Sequence, residues 1–227
     1  MIRDPVGSSS GQGKAGRIGF MVSGKGRLAL EALRQRKSLG FEPSFILWDT
    51  GADLAAQAQA EKEGIPCFRL THSQREEAQV EMHDILRKQK TEWVFLTFDR
   101  ILGEPLLHIF PGRMINLHLS LLPAYPGMRA LDRALADGVP FVGATMHLVT
   151  PRVDDGPSLA QCVIPVLPKD SRESIGERLF QPMQIMFLNM VRWAAQGRVI
   201  WRPGEKAAIS GTQPGKSLIS PEPEWRP

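Results

Sequence analysis

Three polar side chains in the middle of the sequence have the chemistry needed to move an acyl group onto an amine. Asn116 and His118 follow an apolar pair at 114–115, and Asp154 comes thirty-six residues after the histidine. A side-chain amide and a protonated imidazole can both donate hydrogen bonds to the oxyanion of a tetrahedral intermediate. A carboxylate near a histidine favours the charged ring, and it can relay a proton through water from the attacking amine to the departing nitrogen. These residue types therefore indicate acyl transfer.

The spacing of Asn116 and His118 predicts how the two side chains are presented. Residues two apart in a β-strand lie on the same face, and the loop 123–127, which contains two prolines and a glycine, then ends the strand. Polar side chains at the carboxyl end of a strand in an α/β protein lie where such folds usually bind ligands. For this pair alone, an asparagine that caps a turn beside a hydrogen-bonded histidine fits the pattern equally well.

Apolar segments around this site alternate with segments of helical periodicity. The alternation predicts an α/β fold with a Rossmann-like, mostly parallel sheet covered by helices on both faces. The predicted strands are 17–22, 45–48, 66–68, 93–96, 143–149 and 159–166, and the predicted helices are 27–37, 52–63, 73–90 and 172–196. On the last helix, the stripe of Met183, Met186, Phe187 and Met190 indicates a core face.

Four segments around these residues resemble the folate-dependent formyltransferases, most closely the glycinamide ribonucleotide transformylases. The segments are Asn-Leu-His-Leu-Ser-Leu-Leu-Pro at 116–123, Tyr-Pro-Gly at 125–127, Gly-Ala-Thr-Met-His-Leu-Val-Thr at 143–150 and Asp-Asp-Gly-Pro at 154–157. The resemblance covers 17–202. It implies the formyltransferase fold, 10-formyltetrahydrofolate as the formyl donor without a metal, and Asn116, His118 and Asp154 as the catalytic group. Methionyl-tRNA formyltransferase is a more distant match, and the sequence after residue 202 is too short for its tRNA-binding domain.

The resemblance also implies where the formyl donor binds. In the family, the segment that matches 98–102 lines the folate pocket, with an arginine near the acidic part of the cofactor and apolar side chains on its rings. The residues expected to bind the cofactor are Phe98, Asp99, Arg100, Ile101 and Leu102, together with Val153. A buried Ile101–Leu102 pair at the start of a helix explains those two residues equally well.

The turn Ser23-Gly24-Lys25-Gly26 lies between a predicted strand and a predicted helix, where backbone N–H groups attract anions. A tight turn that needs glycine is an equally good explanation. The resembled transformylases bind the substrate phosphate at this turn. The Ser-Asn pair that follows their turn is replaced here by Arg27 and Leu28, so this part of the site departs from the family pattern.

A second departure lies on the last long helix, where the family holds the ribonucleotide with a Gln and a Glu. Those positions fall at Phe180 and Met183, and apolar groups leave a substrate's polar groups unpaired. We therefore expect the acceptor to be a small amine other than glycinamide ribonucleotide. The substrate-binding residues are then Ser23, Gly24, Lys25, Gly26 and Met183. The alternatives are the glycinamide ribonucleotide reaction of purine synthesis, a non-catalytic folate-binding paralogue and a formyltetrahydrofolate hydrolase.

Composition limits the remaining classes of function. The formal charge of +4 is modest and spread along the chain, so it indicates no nucleic-acid partner. No apolar run approaches the ~20 residues of a membrane span, and the start lacks the apolar core of a signal peptide, so we expect a cytoplasmic protein. Two cysteines, Cys67 and Cys162, are too few for a disulfide scaffold and are expected to be reduced and buried. The assembly state, a homodimer included, is open.

The expected organisation is a disordered leader at 1–16, a catalytic domain at 17–202 and a loosely ordered tail at 203–227. Asp155 stands where the family usually has glycine, and we favour an outward-facing loop charge over a contact with the amine. His147 lies in the middle of a predicted strand, and a hydrogen-bonded core histidine is the favoured interpretation.

Overall fold

A computed structural model describes residues 16–49, 55–72, 74–216 and 218–225. The predicted leader lies outside these residues except for Gly16. The strands are β1 (Gly16–Val22), β2 (Phe41–Trp48), β3 (Cys67–Arg69), β4 (Trp93–Thr97), β5 (Met114–His118), β6 (Phe141–Leu148), β7 (Ser158–Pro165), β8 (Val199–Ile200), β9 (Ala208–Ile209) and β10 (Ile219–Ser220). The helices are α1 (Arg27–Arg34), α2 (Arg36–Leu39), α3 (Ala55–Lys62), α4 (Arg75–Lys88), α5 (Glu104–Ile109), α6 (Ala130–Ala136) and α7 (Arg172–Ala195).

Eight strands form one sheet in the order β10-β7-β6-β5-β4-β1-β2-β3. Strands β3, β2, β1, β4 and β5 are parallel, and β6, β7 and β10 continue the sheet in antiparallel pairings. The chain runs outward from β1 to β3 and returns to β4 on the other side of β1, which leaves a crevice at the carboxyl ends of β1 and β4. The predicted α/β class, with its mostly parallel sheet and helices on both faces, is confirmed.

Side chains of the central strands alternate between two apolar layers, as the period of a strand requires. Phe20, Ile46, Phe95 and Ile115 belong to one layer, and their neighbours Met21, Leu47, Leu96 and Met114 belong to the other. Helices α1, α6 and α7 contribute to the first layer, whereas α4 and α5 contribute to the second. Segments that follow different strands can therefore approach the crevice from opposite faces of the sheet.

Helix α7 is the longest element and begins at a capping box. The side chains of Ser171 and Ser174 each bond the backbone N–H of the other, which satisfies two donors of the first turn. Met186 and Phe187 are buried farther along the helix, and the ring of Phe187 contacts that of Phe95 on β4 with centroids 5.5 Å apart. The predicted methionine-rich core face is thus present, and Met183 lies at its exposed margin.

The segment after residue 202 was predicted to be a loosely ordered tail, but its described residues make specific contacts. Ile219 and Ser220 pair with β7 at the edge of the main sheet. The buried amide of Asn189 accepts hydrogen bonds from the N–H groups of Glu224 and Trp225 at 3.0 and 2.9 Å and donates one to the Trp225 carbonyl at 2.7 Å. A buried amide on α7 therefore holds the tail, a long-range contact that proline and glycine content did not reveal.

Both cysteines are free; Cys162 is buried and Cys67 is half-buried. Burial raises the pKa of the Cys67 thiol to about 11, with a contribution from Glu61, and raises that of Cys162 to about 12. Since the thiolate is the reactive form, neither group is suited to act as a nucleophile at neutral pH. Within the described part of the chain, no helix is long and apolar enough to cross a membrane.

Candidate active site

An open cleft of about 530 Å³ lies at the carboxyl ends of β4 and β5. Asn116, His118 and Asp154 all line it, so the three predicted catalytic residues are brought together from β5 and from the loop after β6. Asn116 and His118 lie at the end of β5 and share one face of the strand, as their spacing predicted.

The cleft has two walls, which come from opposite faces of the sheet. The β4 wall comprises residues 96–102, Val149 and Val153. The α7 wall comprises Leu28, residues 128–132, Arg172 and Met183. Leu96 and Leu102 belong to the apolar layer beneath α4 and α5, whereas Leu28 and Leu131 belong to the layer beneath α1, α6 and α7. The three predicted catalytic residues therefore lie between two surfaces, each of which could bind a different molecule.

Asp154 is the centre of the polar contacts in the cleft. One carboxylate oxygen, Oδ2, lies 3.3 Å from Nδ1 of His118 and accepts a hydrogen bond from the N–H of Gly127 at 2.7 Å. The other oxygen, Oδ1, lies 3.4 Å from Nε2 of His147. Asp154 itself has a left-handed backbone with φ of 53°. Strain of this kind in a non-glycine residue persists only where the surroundings enforce it, and it is typical of functional sites.

The environment of Asp154 keeps its carboxyl group ionised. Burial acts to raise the pKa of this group, but the hydrogen bonds from His147 and Gly127 and the charges of the two histidines outweigh burial, so the pKa lies below its ordinary value. A carboxylate with a lowered pKa stays negative at neutral pH. It can therefore stabilise positive charge on an attacking amine or on either imidazole ring.

His118 has an acceptor at each ring nitrogen. Nε2 lies 2.9 Å from the carbonyl oxygen of Tyr125, which can only accept, so the proton on this nitrogen is donated to the loop. The other nitrogen faces Asp154. In the doubly protonated ring, Nδ1 would also carry a proton and would donate it in a hydrogen bond to the Asp154 carboxylate. In this arrangement His118 can stabilise an oxyanion through its charge, or directly once Nε2 leaves the Tyr125 carbonyl.

His147 is the site residue that sequence reasoning missed, since it was interpreted as a core histidine. The antiparallel register of β5 and β6 pairs it with Asn116, and its Nε2 lies 3.3 Å from the Asn116 amide nitrogen. Its Nδ1 donates to the carbonyl of Leu148 at 3.0 Å, which fixes the ring. His147 is buried, as predicted, yet it contacts both Asn116 and Asp154. Only the pairing of the two strands could have revealed this position.

A buried network holds the loop that follows β5. The hydroxyl of Thr145 donates to the Ser120 carbonyl at 2.6 Å and accepts from the N–H of Leu122 at 3.0 Å. The amide of Gln161 donates to the Leu122 carbonyl at 2.9 Å and to the Thr145 hydroxyl at 3.0 Å. Because both partners come from the neighbouring strands β6 and β7, the sheet itself positions the loop that carries Tyr125 and Gly127.

The residues predicted to bind the cofactor all line the cleft, and the structure separates the roles of Ile101 and Leu102. Ile101 is 48% exposed, whereas Leu102 is 8% exposed and belongs to the core. The side chain of Gln79 on α4 donates to the Ile101 carbonyl at 2.9 Å and accepts from the N–H of Gly103 at 2.8 Å. The β4 wall therefore presents the apolar side chain of Ile101 to the cleft, and the hydrogen bonds from Gln79 on α4 hold the main chain that carries it.

Charged groups of the β4 wall interact with the end of β1. The N–H of Asp99 donates to the Ser23 hydroxyl at 3.0 Å, and that hydroxyl donates to Asp49 at 2.9 Å. Nε of Arg100 lies 3.7 Å from the same Asp49 carboxylate. Burial raises the pKa of Asp99, and the charge of Asp49 raises it further. Ser23 thus links two strand ends.

None of the four residues of the predicted phosphate turn, Ser23 included, lines the cleft. Gly24 and Lys25 are exposed, and Gly26 adopts φ of 60° as the residue before α1. Of the predicted substrate-binding residues, only Met183 reaches the cleft. Phe180 packs partly against the core, and the guanidinium of Arg27 lies 3.7 Å from its ring centroid. The two departures from the family pattern are therefore in contact with each other.

Asp155 turns away from the cleft, in agreement with the favoured interpretation. It is paired with the exposed Arg152, with the nitrogen and oxygen 3.7 Å apart. The chain then returns to β6 at Gly156, where an added Cβ would lie 1.8 Å from the Leu148 carbonyl oxygen. Only glycine fits this approach, which positions the loop that bears Asp154. Across the described residues, no group of three or more His, Cys, Asp or Glu side chains is arranged to hold a metal ion.

Residues 16–191 match the family model described as formyl transferase. The chain belongs to this family. Among its relatives, a phosphoribosylglycinamide formyltransferase of Mycobacterium tuberculosis is 50% identical over 82 residues, which cover 36% of this chain and 38% of the relative. The trifunctional purine biosynthetic protein adenosine-3 of Drosophila pseudoobscura pseudoobscura is 32% identical over 170 residues, covering 72% of this chain but only 12% of that protein. The chain thus spans a small part of such trifunctional relatives.

The fold is also that of a solved family member. Glycinamide ribonucleotide transformylase 1 from Symbiobacterium toebii superposes with a TM-score of 0.79 at 28% identity, over 88% of this chain and 99% of that one. The predictions of a folate-dependent formyltransferase and of its fold are confirmed.

The prediction of an acceptor other than glycinamide ribonucleotide is wrong, because relatives such as the phosphoribosylglycinamide formyltransferase of Mycobacterium tuberculosis and solved structures such as that from Symbiobacterium toebii are named for that reaction. The structure explains the error in physical terms. Phe180 does not line the cleft, and its ring is covered by the positively charged Arg27. Phe180 replaces a polar residue of the family, but because Arg27 covers its ring, the replacement does not expose an apolar surface to a phosphate.

Proposed function

We propose that this chain transfers the formyl group of 10-formyltetrahydrofolate to the amine of glycinamide ribonucleotide. The observation that carries the proposal is the convergence of Asn116, His118 and Asp154 in one cleft between two distinct walls. The names of the relatives and of the structural neighbours support the choice of acceptor. Residues of the β4 wall match the folate-binding segment of the family, so the donor binds there and the acceptor lies against the α7 wall.

In this proposal, the two walls hold the amine nitrogen beside the formyl carbon at the end of β5, which makes the reaction effectively intramolecular. Attack of the nitrogen lone pair forms a carbon–nitrogen bond and places negative charge on the formyl oxygen. The amide of Asn116 and the charge of His118 stabilise that oxyanion. When the intermediate collapses, the bond to N10 of the folate breaks and N10 receives a proton.

Asp154 supports the proton transfer that must accompany these steps. The attacking amine becomes positively charged when its bond forms, and the nearby carboxylate lowers the energy of that charge. The proton then passes by way of the carboxylate or a water molecule to N10. His147 maintains the geometry, because it contacts Asp154 on one side and Asn116 on the other.

The test is the rate of tetrahydrofolate release with authentic glycinamide ribonucleotide. It is measured for the natural chain and for two variants, each of which removes one of two neighbouring carboxylates. Asp154→Asn should lower kcat by a factor of ~100 or more, because it removes the charge that assists proton transfer. Asp155→Asn is the matched control, since Asp155 faces solvent, and it should stay within about twofold of the natural chain.

Two results would count against the proposal. Folate release that proceeds equally fast without any amine would identify a hydrolase. Equal activity of Asp154→Asn and Asp155→Asn would show that the chemistry does not take place at this cluster. A kcat/KM for glycinamide ribonucleotide of about 10⁴ M⁻¹s⁻¹ or above, the ordinary range for enzymes, is the supporting outcome.

A further inference from the structure

One hydroxyl group joins the ends of β1, β2 and β4 behind the β4 wall of the cleft. The Ser23 hydroxyl donates to Oδ2 of Asp49 at 2.9 Å and accepts from the N–H of Asp99 at 3.0 Å. The backbone N–H of Ser23 also donates to the Thr97 carbonyl at 2.8 Å. Asp99 lines the cleft, whereas Ser23 and Asp49 do not. These two residues therefore act on the wall and not directly on a ligand.

Asp49 also faces the arginine of this wall. Nε of Arg100 lies 3.7 Å from Oδ2 of Asp49, the same oxygen that accepts from Ser23. Nη1 of Arg100 donates to the His72 carbonyl at 3.3 Å. The side chains of Asp49 and Arg100 are only 14% and 22% exposed, so solvent screens this pair less than a surface pair. The two contacts restrict the orientation of a guanidinium whose donors form a rigid plane.

The position of Asp49 carries a cost in stability. Burial raises the pKa of Asp99, and the negative charge of Asp49 raises it further. A carboxyl group whose pKa is higher in the folded chain than in the unfolded chain destabilises the fold at neutral pH. Stability therefore does not explain why Asp49 lies beside Asp99 and Arg100, and perturbed groups that border a cleft favour a functional explanation.

We propose that Asp49 and Ser23 are positioning residues for the formyl donor: Asp49 orients the Arg100 guanidinium, and the Ser23 hydroxyl holds the main chain at Asp99. This inference rests on the donor half of the proposed function, in which the donor binds to the segment 98–102. A surface that is ordered before its ligand arrives does not lose that conformational freedom on binding. Loss of either contact should therefore appear as weaker binding of the donor.

A contact with the acceptor is the other explanation for the Ser23 hydroxyl, because the resembled transformylases bind the substrate phosphate at the turn 23–26. The single proton of this hydroxyl is already donated to Asp49. The contacts of Ser23 with Asp49 and Asp99 use no N–H group of residues 24–26. The acceptor can therefore bind the backbone of the turn while the side chain of Ser23 holds the donor segment.

The experiment measures tetrahydrofolate binding by calorimetry, without any acceptor, for the natural chain and for variants of Ser23 and Asp49. Ser23→Ala removes the hydroxyl without a change of charge, and we expect Kd to rise by about fivefold. Asp49→Ala removes the partners of Ser23 and Arg100 together, and Kd should rise by about tenfold. The double variant should lose less than the product of the two factors, because the two residues act on the same segment. Ser23→Thr restores a hydroxyl and should stay within about twofold of the natural chain.

Steady-state kinetics separate positioning of the donor from a general structural effect. In both alanine variants, KM for 10-formyltetrahydrofolate should rise by the same factors, while kcat and KM for the acceptor stay nearly constant. A merely structural loss would lower kcat and raise both KM values together.

The pH dependence of tetrahydrofolate binding is a second readout. Protonation of Asp99 removes a negative charge beside an anionic ligand, so affinity should increase as the pH falls through the pKa of Asp99. Asp49→Ala lowers that pKa and should move this increase to lower pH, whereas Ser23→Ala should not. Arg75 and Arg100, which line a small cavity with Asp99, are present in both variants.

Two controls match the chemical changes. Ser44→Ala removes a buried hydroxyl that contacts Thr91 at 2.8 Å, on the same strand as Asp49 but away from the cleft. Asp84→Ala removes an exposed carboxylate on α4. Both should bind tetrahydrofolate as the natural chain does.

Unchanged affinity in both Ser23→Ala and Asp49→Ala would overturn this inference and leave the proposed function intact. Tighter binding in Asp49→Ala would overturn it as well, because Asp49 would then only repel the anionic donor. A rise in KM for the acceptor alone in Ser23→Ala would assign the hydroxyl to the acceptor instead. A natural chain that does not bind tetrahydrofolate would overturn the donor assignment and this inference together, whereas one that binds it but does not formylate glycinamide ribonucleotide would overturn only the choice of acceptor.

Discussion

The two walls of the cleft differ in how their functional groups are held. On the β4 wall, the main chain is fixed by hydrogen bonds from Gln79 and Ser23, and Arg100 is paired with Asp49. On the α7 wall, Arg129 and Arg172 are exposed, and each donates from Nε to the carboxylate of Asp132. The β4 wall is therefore a preorganised surface, whereas the α7 wall is a charged surface whose exposed side chains can change conformation.

This difference explains why the formyl donor was easier to predict than the acceptor. The residues predicted to bind the donor lie largely in one continuous segment, 98–102, so they appear together in the sequence, and all of them line the cleft. The α7 wall combines residues from α1, the loop before α6 and α7, which are far apart in the chain. Position-by-position comparison treated Phe180 as a lost polar contact, because the sequence does not show that Arg27 covers its ring.

The largest effect that would sharpen this comparison is expected at His147, between the walls. His147→Leu keeps much of the volume but removes the hydrogen-bonding nitrogens that face Asn116 and Asp154. Losing one hydrogen bond to a charged group costs about 1.5 to 3 kcal/mol, so kcat should fall by about 10- to 100-fold. KM for both substrates should change little, because His147 belongs to neither wall. Steady-state kinetics with each substrate varied in turn measure this split.

His147→Gln is the comparison for that variant, because its terminal amide can place a donor close to the position of Nε2. It should retain more activity than His147→Leu, while both melt at similar temperatures. Equal kcat for His147→Leu and the natural chain would show that His147 is only a packed core residue. A large rise in KM for one substrate alone would place His147 on that wall instead.

Much of the fold and the centre of the site follow from local patterns in the sequence. The two-residue spacing of Asn116 and His118 predicts that they share one face of a strand, and the family motif around Asp154 predicts that this carboxylate lies near them. All three residues line the cleft. The alternation of apolar and helical segments predicts the sheet and the long helix α7. These features depend on the period of a strand or a helix, which a few neighbouring residues encode.

The features that sequence reasoning missed depend on contacts between distant segments. His147 reaches Asn116 only through the register of β5 and β6, which a long connection separates. The tail after residue 202 is held by Asn189, a buried polar residue on an otherwise apolar face of α7. The domain limits at 17–202 stay a prediction, and the roles of the individual site residues are proposals that the kinetics of single variants can test.

A smaller effect is expected for the β4 wall. Gln79→Ala removes the two hydrogen bonds that fix the Ile101 carbonyl and the Gly103 N–H. Two neutral hydrogen bonds of about 0.5 to 1.5 kcal/mol each contribute about 1 to 3 kcal/mol together. Because they act on the folate only through the main chain, KM for the donor should rise by the lower limit of this range, about fivefold. KM for the acceptor should not change. Gln57→Ala, on α3 away from the cleft, is the control, and an equal rise in both KM values for Gln79→Ala would refute the separation of the two walls.

The smallest effect is expected at Phe180, behind the α7 wall. Phe180→Leu removes the ring beneath the Arg27 guanidinium, and an exposed cation–π contact of this kind contributes roughly 0.5 to 1 kcal/mol. Arg27 would then sample more conformations, so KM for glycinamide ribonucleotide should rise by about two- to fivefold while KM for folate stays constant. Phe141→Leu, an exposed position on β6, controls for the loss of a ring. A lower KM for glycinamide ribonucleotide in Phe180→Leu would contradict this prediction. It would mean that the ring holds Arg27 away from the acceptor instead of positioning it for binding.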